Sequence, residues 1–431
     1  MHHFPTEVYM GEENKEKGTG YSFMQEKVKQ RPFYKNPKIQ KGFAAVAGGV
    51  IFALAATLVW AVLIPHISRK AEEKELQPIE LPEEAAPGEE DGTGEAEPPV
   101  YITETVSMEL NDYHKMYQQL MQIGSQVEKS LVNISAVSTD TDWFDESLTT
   151  QNSVCGTVVG DNGVELLLLT QYQEIRNAET LLVTFYDHTT AKGTLKKYDK
   201  NTGLAVVGVN LGDIGDSTRE NVVDADFGSS KSIRSGEPVL AVGSPLGSFG
   251  SVLFGNVTSS NQNASLYDGS YNILTTDIAS AEEGSGVLVN WDGKIVGVIQ
   301  SECEVNAQKN TIQAYGISDM KAVIEHLSNN QDMVYMGIVG ADVTTSISES
   351  ENIPIGVYVA EVSMDSPAIA AGIQPGDIIT GMSGQSVTNM KDVMSVLLTC
   401  IDGQKVQVTF ERSSKSGYQE LETTVELKIY E

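Results

Sequence analysis

Within Ala281-Glu282-Glu283-Gly284-Ser285-Gly286 a serine stands between two glycines, directly ahead of an apolar run. A hydroxyl held on a loop by the strand behind it, with backbone N–H groups close by, suits nucleophilic catalysis. The oxygen is fixed, and donors stand ready for the charge that develops on an attacked carbonyl. The residues after the loop predict the strand. Two alternating apolar stretches, Gly286 to Asn290 and Lys294 to Gln300, flank Trp291-Asp292-Gly293, and Asp-Gly between such stretches marks a tight hairpin. A serine of this kind is inert without a base to take its proton and a group to orient that base.

The rest of the chain must position this loop. At 431 residues it is long enough for two or three domains. A formal charge of −30 and a pI near 4.5 exclude nucleic acid as a partner, because phosphate binding is driven by clusters of Lys and Arg. Cys155, Cys303 and Cys400 are widely spaced. They match neither a metal site nor a disulfide framework and read as isolated buried thiols. No motif calls for a metal or any other cofactor.

Residues 1–41 are polar and read as a cytoplasmic tail. From Gly42 to Pro65 no charged residue occurs, and about 23 apolar residues suffice to cross a hydrocarbon core of roughly 30 Å. The stretch is predicted to be a transmembrane helix. Six basic side chains in the twenty residues before it, against three in the twenty after, place the tail in the cytoplasm and the remainder outside. Residues 66–107 read as an acidic, extended spacer: positions 71–100 hold eleven Asp or Glu against one Lys, too few apolar groups to fold. Between Met108 and Ile134, Leu110, Tyr113, Tyr117, Leu120, Val127 and Leu131 recur at helical spacing with Gly124 on the same stripe. This predicts an amphipathic helix, either packed on the chain's own surface or in a short coiled coil.

From Asn133 short runs rich in Val, Leu, Ile and Thr are broken by turn residues at 161–163, 200–203 and 235–238, a pattern of all-β barrel domains. Four segments in this region carry a resemblance. They are Val154-Cys155-Gly156-Thr157-Val158-Val159, Asp199 to Val209, Val242-Gly243-Ser244-Pro245-Leu246-Gly247, and Thr276-Asp277 through Val298 around the serine loop. Together they resemble the HtrA/DegP-type trypsin-like serine proteases. The resemblance runs from Val127 to Ser318. It implies two six-stranded antiparallel β-barrels with the active site in the cleft between them.

That family would place its histidine where Gln173 stands and its aspartate where Gly203 stands. An amide has no site that titrates near neutrality, and glycine has no side chain to orient anything. Between Asp277 and Asn290 the chain is one residue shorter than the family pattern. Counting from the left puts Ser285 at the nucleophile, and counting from the right puts Gly284 there. On the left-hand count Glu283 takes a glycine's place beside the oxyanion site. None of the histidines beyond the span, His66, His114, His188 and His326, occupies the expected position.

After a helix-forming segment from Ser318 to Leu327, residues 333–431 form a second unit. Tyr335-Met336-Gly337-Ile338, Val357-Tyr358-Val359 and Ser366 through Ile379 resemble a PDZ domain of α+β fold. The resemblance makes Tyr335, Met336, Gly337 and Ile338 the peptide-binding loop, whose backbone N–H groups would capture a terminal carboxylate. Met390 to Cys400 would be the far wall of the groove, where Met336, Ile338, Met390, Val393 and Leu397 offer apolar contacts. The expectation is a mainly β, membrane-anchored, HtrA-like pseudoprotease of the cell envelope, binding C-terminal or unfolded peptide segments of envelope proteins. An active endopeptidase with an unconventional site and an envelope chaperone or stress sensor are the alternatives. Trimers are common in the resembled family, so a homotrimer is among the expectations.

Overall fold

Short apolar runs, several of them buried along their whole length, build twelve strands, which a computed structural model closes into two antiparallel barrels. The structure describes residues 77–81, 109–141, 147–300 and 310–430. The predicted span at 42–65, most of the acidic spacer and Cys303 lie outside these. Among the described residues no helix is long and apolar enough to cross a membrane.

Barrel one runs β1 (Leu131–Thr141), β2 (Ser147–Asp161), β3 (Glu165–Gln171), β4 (Thr180–Thr184), β5 (Thr190–Asp199) and β6 (Leu204–Asn210), in the spatial order β1-β2-β3-β6-β5-β4. Barrel two repeats the pattern with β7 (Pro238–Ser244), β8 (Ser251–Leu266), β9 (Gly269–Ala279), β10 (Ser285–Val289), β11 (Ile295–Ile299) and β12 (Thr311–Gly316), in the order β10-β11-β12-β9-β8-β7. Each barrel has its own apolar interior. A further cluster joins them, made of inward residues of both barrels and of the helix that follows β12. Closure leaves no free edge in either barrel, and closure is the one arrangement that removes sheet edges altogether.

The stripe before barrel one forms α1 (Leu110–Val127), which ends earlier than the periodicity suggests. A 3-10 turn at Glu128–Ser130 follows, and β1 already begins at Leu131. Only its second half is buried, through Leu120, Gly124 and Val127, while Leu110 is 86% exposed. A Cβ on Gly124 would lie 2.8 Å from the Val252 side chain, so the glycine permits close approach to β8. Packing on the chain's own barrel is what the second half of the stripe serves, while Leu110, Tyr113 and Tyr117 stay exposed. Part of the acidic spacer is docked on the fold. Ile79 exchanges hydrogen bonds with the Asn329 side chain at 2.9 and 3.0 Å, and Ile79 and Leu81 pack against the core shared by the barrels.

Three helices complete the barrels' surroundings, α2 (Tyr172–Ile175) after β3, α3 (Asp216–Asn221) after β6 and α4 (Ile317–Ser328) after β12, and the C-terminal unit opens its own set with α5 (Thr345–Glu351). That unit also holds β13 (Val334–Tyr335), β14 (Ile338–Val343), β15 (Gly356–Val362), β16 (Ile378–Met382), β17 (Gln385–Ser386), β18 (Lys405–Ser414), β19 (Gly417–Glu426) and β20 (Lys428–Ile429), with α6 (Pro367–Ala370) and α7 (Met390–Leu397). It has a separate core. β14 is the end strand of its sheet, paired on one side only, with β15.

Candidate functional site

Residue 173 lies in α2, one turn placed by the end of β3, and residue 203 lies in the turn from β5 to β6. The Tyr172 N–H donates to the Gly203 carbonyl at 2.8 Å, so the positions that resemblance assigns to base and orienter are brought side by side. Gln173 is exposed. Gly203 has φ +72°, and a Cβ built on it would meet Nε2 of Gln300 at 2.5 Å. The Gln300 amide, which donates to the Thr202 carbonyl at 2.9 Å, thus occupies the space beside position 203, so a side chain there would have to displace it while standing on a left-handed backbone position. The turn is held by the buried Asp199, whose carboxylate accepts from the Thr202 hydroxyl and N–H and from the Asn201 N–H. Burial raises its pKa above the usual carboxylate value despite those three donors.

Ser285 opens β10 and is 1% exposed. It pairs with Ser244 across the sheet, and its Oγ accepts from the Cys155 N–H of β2 at 3.0 Å. This hydroxyl faces barrel one, pinned between the barrels. Gly284 is no roomier: a Cβ there would lie 2.7 Å from the Pro245 carbonyl oxygen and 2.7 Å from the Ser280 hydroxyl. Its N–H donates to the Ala281 carbonyl at 3.1 Å, so one backbone donor of the loop is spent closing the loop on itself. Whichever count is taken, residue 284 or 285, the loop presents no accessible hydroxyl. Cys155 and Cys400 are free and buried, and burial pushes the Cys155 thiol up to about 12. Of the histidines, His188 occupies the β4–β5 turn with φ +63°, and His326 is buried in α4, its Nε2 3.1 Å from the Asp332 carbonyl.

In the C-terminal unit the loop between β13 and β14 has three N–H groups that converge on one carboxylate. Met336 N donates to Asp268 Oδ2 at 2.6 Å, Gly337 N to Oδ2 at 2.8 Å, and Ile338 N to Oδ1 at 3.1 Å. Gly337, at φ +91° with its Cβ position pressed against the Ser366 Cβ, makes this convergence possible. Tyr335 is not a donor. It belongs to β13, paired with Lys428, and its ring lies 5.0 Å from that of Tyr430. The expected open groove is closed: Met336, Ile338, Met390, Val393 and Leu397 are all buried in the unit's own core.

Two stretches match protein families: residues 155–298 the trypsin-like peptidase domain, and residues 328–427 the PDZ domain. The Serine protease Do-like HtrA of Lactococcus lactis subsp. cremoris is 27% identical over 61% of this chain and 68% of its own length. The protein of the same name in Bacillus subtilis is 29% identical over 62% of each. Mitochondrial serine protease HTRA2 of Drosophila willistoni is 31% identical over 59% of this chain and 62% of its own length. The chain is HtrA-like. A solved structure of the HtrA-type protease AlgW with a decapeptide superposes with a TM-score of 0.52 at 20% identity, over 72% of this chain and 99% of that one, a likeness of fold.

Within this HtrA-like frame the functional neighbourhood holds residues that spacing alone did not point to. Gln171, buried at the end of β3, donates from Nε2 to the Ile299 and Gly284 carbonyls at 2.9 and 3.3 Å. With Gln300 it ties barrel one to barrel two across the HtrA-like cleft. Asp268 sits at the tip of the β8–β9 hairpin with φ +55°. Its one sequence signal is Asp268-Gly269 between alternating stretches, which marks the hairpin but gives no hint of the loop it reaches, near residue 337.

Proposed function

We propose that this HtrA-like chain is a membrane-anchored pseudoprotease of the cell envelope, which binds peptide or protein segments through its PDZ domain and barrel cleft without cutting them. One observation carries the reading: the Ser285 hydroxyl is buried and pinned against the Cys155 N–H. The space beside residue 203 is likewise occupied by the Gln300 amide. Gln173 at the base position cannot take a proton from serine near neutrality. Loss of triad members leaves only about 10³–10⁴-fold acceleration over water, supplied by the oxyanion hole and binding; on the left-hand count the hole gains the Glu283 carboxylate beside it, and on the right-hand count the Gly284 N–H that would serve it bonds to Ala281. What remains of the family's equipment is recognition, as in a chaperone or a stress sensor that holds segments without hydrolysing them.

The test is casein and peptide hydrolysis by the purified region outside the membrane, beside its Ser285→Ala variant, together with fluorophosphonate labelling. We expect equal, background turnover from both and no label. Serine-dependent turnover, or stoichiometric labelling at Ser285, would move the protein to the active endopeptidases.

A further inference from the structure

The β13–β14 loop donates three backbone N–H groups to a carboxylate, and Asp268 returns its own N–H to the Ile338 carbonyl at 2.7 Å. An incoming chain terminus adding to the edge of β14 would have to use the same four groups. Its carboxylate would take the N–H groups of the nest, and the N–H of its last residue would take the carbonyl of the first strand residue. Asp268 thus reproduces a terminal residue, with the side-chain carboxylate in place of the α-carboxylate. β14 is the end strand of its sheet, so the edge that the hairpin meets has no other strand on it.

The hairpin is gripped from three sides. Asn201 of the β5–β6 turn donates to the Tyr267 carbonyl at 2.7 Å and accepts from the Tyr267 N–H at 3.1 Å. Tyr271 is 2% exposed, and its hydroxyl points to the Met394 sulfur of α7 at 3.6 Å. A cavity of about 30 Å³ is all that is left among these parts, room for about one water and not for a peptide side chain. Asp268 is itself 6% exposed, so a peptide cannot reach the nest while the hairpin stays.

We propose that Asp268 is a built-in stand-in for a peptide C-terminus, so that ligands of the PDZ domain are segments with a free α-carboxylate able to displace the β8–β9 hairpin. This rests on the proposed peptide binding by the PDZ domain. Free and occupied forms then differ in where residues 266–270 lie, and the apparent affinity of a peptide is lowered by the small fraction of molecules whose nest is vacant. The turn released with the hairpin is the one that carries Gly203, which links PDZ occupancy to the barrel cleft through Asn201.

The experiment uses the whole chain beyond the membrane segment and a fluorescent decapeptide ending in Val, in free-acid and amidated forms. Binding is read by anisotropy for wild type, Asp268→Ala and Asp268→Asn. We expect both variants to bind the free acid about tenfold or more tightly than wild type, with the amide weak throughout. In wild type, hydrogen exchange at 266–270 should accelerate when the free-acid peptide is added, a readout that needs no variant to fold. Equal affinity of wild type and both variants for the free acid, with exchange at 266–270 unchanged, would overturn the stand-in while leaving peptide binding intact. No discrimination between acid and amide by any form would overturn the peptide-binding reading and the stand-in with it.

Discussion

Residue 203 is where this chain departs most consequentially from the pattern it resembles, because the position is rebuilt and not merely emptied. A left-handed backbone at φ +72° and a neighbouring amide 2.5 Å from the Cβ position both oppose a side chain. Gly203→Asp should cost about 1–3 kcal/mol from strain and overpacking, read by chemical denaturation. Combined with Gln173→His it should still give no turnover above background, and a measurable gain in peptide hydrolysis would show the site to be restorable by its side chains alone. Asp268 invites a second prediction. Burial outweighs its three N–H donors and raises its carboxyl to about 6, so the docked form binds a proton more readily than the released form does. Docking is therefore strongest below the ordinary aspartate value and weakens as pH rises through about 6. The titratable groups facing it are Asp199, Tyr267, Tyr271, Tyr335 and Tyr430. Peptide affinity should fall roughly fourfold from pH 7.5 to 5.5 in wild type, and a slope equally steep in Asp268→Asn would assign the effect to another group.

The two six-stranded barrels and the PDZ unit could be expected from alternation, turn residues and the resemblance of several segments at once, but the order of the strands in each sheet could not. The hairpin around Trp291-Asp292-Gly293 was legible from its turn residues, whereas strands buried along their whole length, such as Ser285–Val289 and Ile295–Ile299, carry no two-residue burial period to mark their ends. What could not be read was anything made by an element meeting a distant one. Asp268-Gly269 announces a hairpin, but nothing local says that its tip enters the loop around Gly337, and the stripe of α1 does not reveal that Leu110, Tyr113 and Tyr117 stay exposed while Gly124 lies on Val252. Two glycines test these contacts between elements. Gly124→Val should push α1 off β8 and destabilise the fold by about 1–3 kcal/mol. Gly337→Ala should strain a positive-φ position against Ser366 and remove discrimination between free and amidated peptide termini. If Gly337→Ala keeps that discrimination at wild-type affinity, the nest is not the carboxylate site.

At the scale of the whole molecule, barrels and PDZ unit are joined by the Asp268 nest, by Lys391 with Asp319 at 2.8 Å and by Lys197 with Asp332 at 2.5 Å. The two ion pairs are partly exposed and each is worth little alone, so the nest should govern whether the parts move as one body. Which peptides can reach it depends on the side of the membrane the chain occupies. The uncharged stretch at 42–64 is long enough to span, and six basic residues precede it where three follow. On the proposed topology the positive-inside bias sets the tail in the cytoplasm and the PDZ domain outside, and the proposed ligands are termini that become free beyond the membrane, such as those of misassembled or cleaved envelope proteins. Protease added to intact cells should remove an epitope placed after Tyr430 and spare one placed in the first 41 residues. The reverse pattern would put the nest in the cytoplasm and replace that pool of ligands with cytoplasmic chain ends.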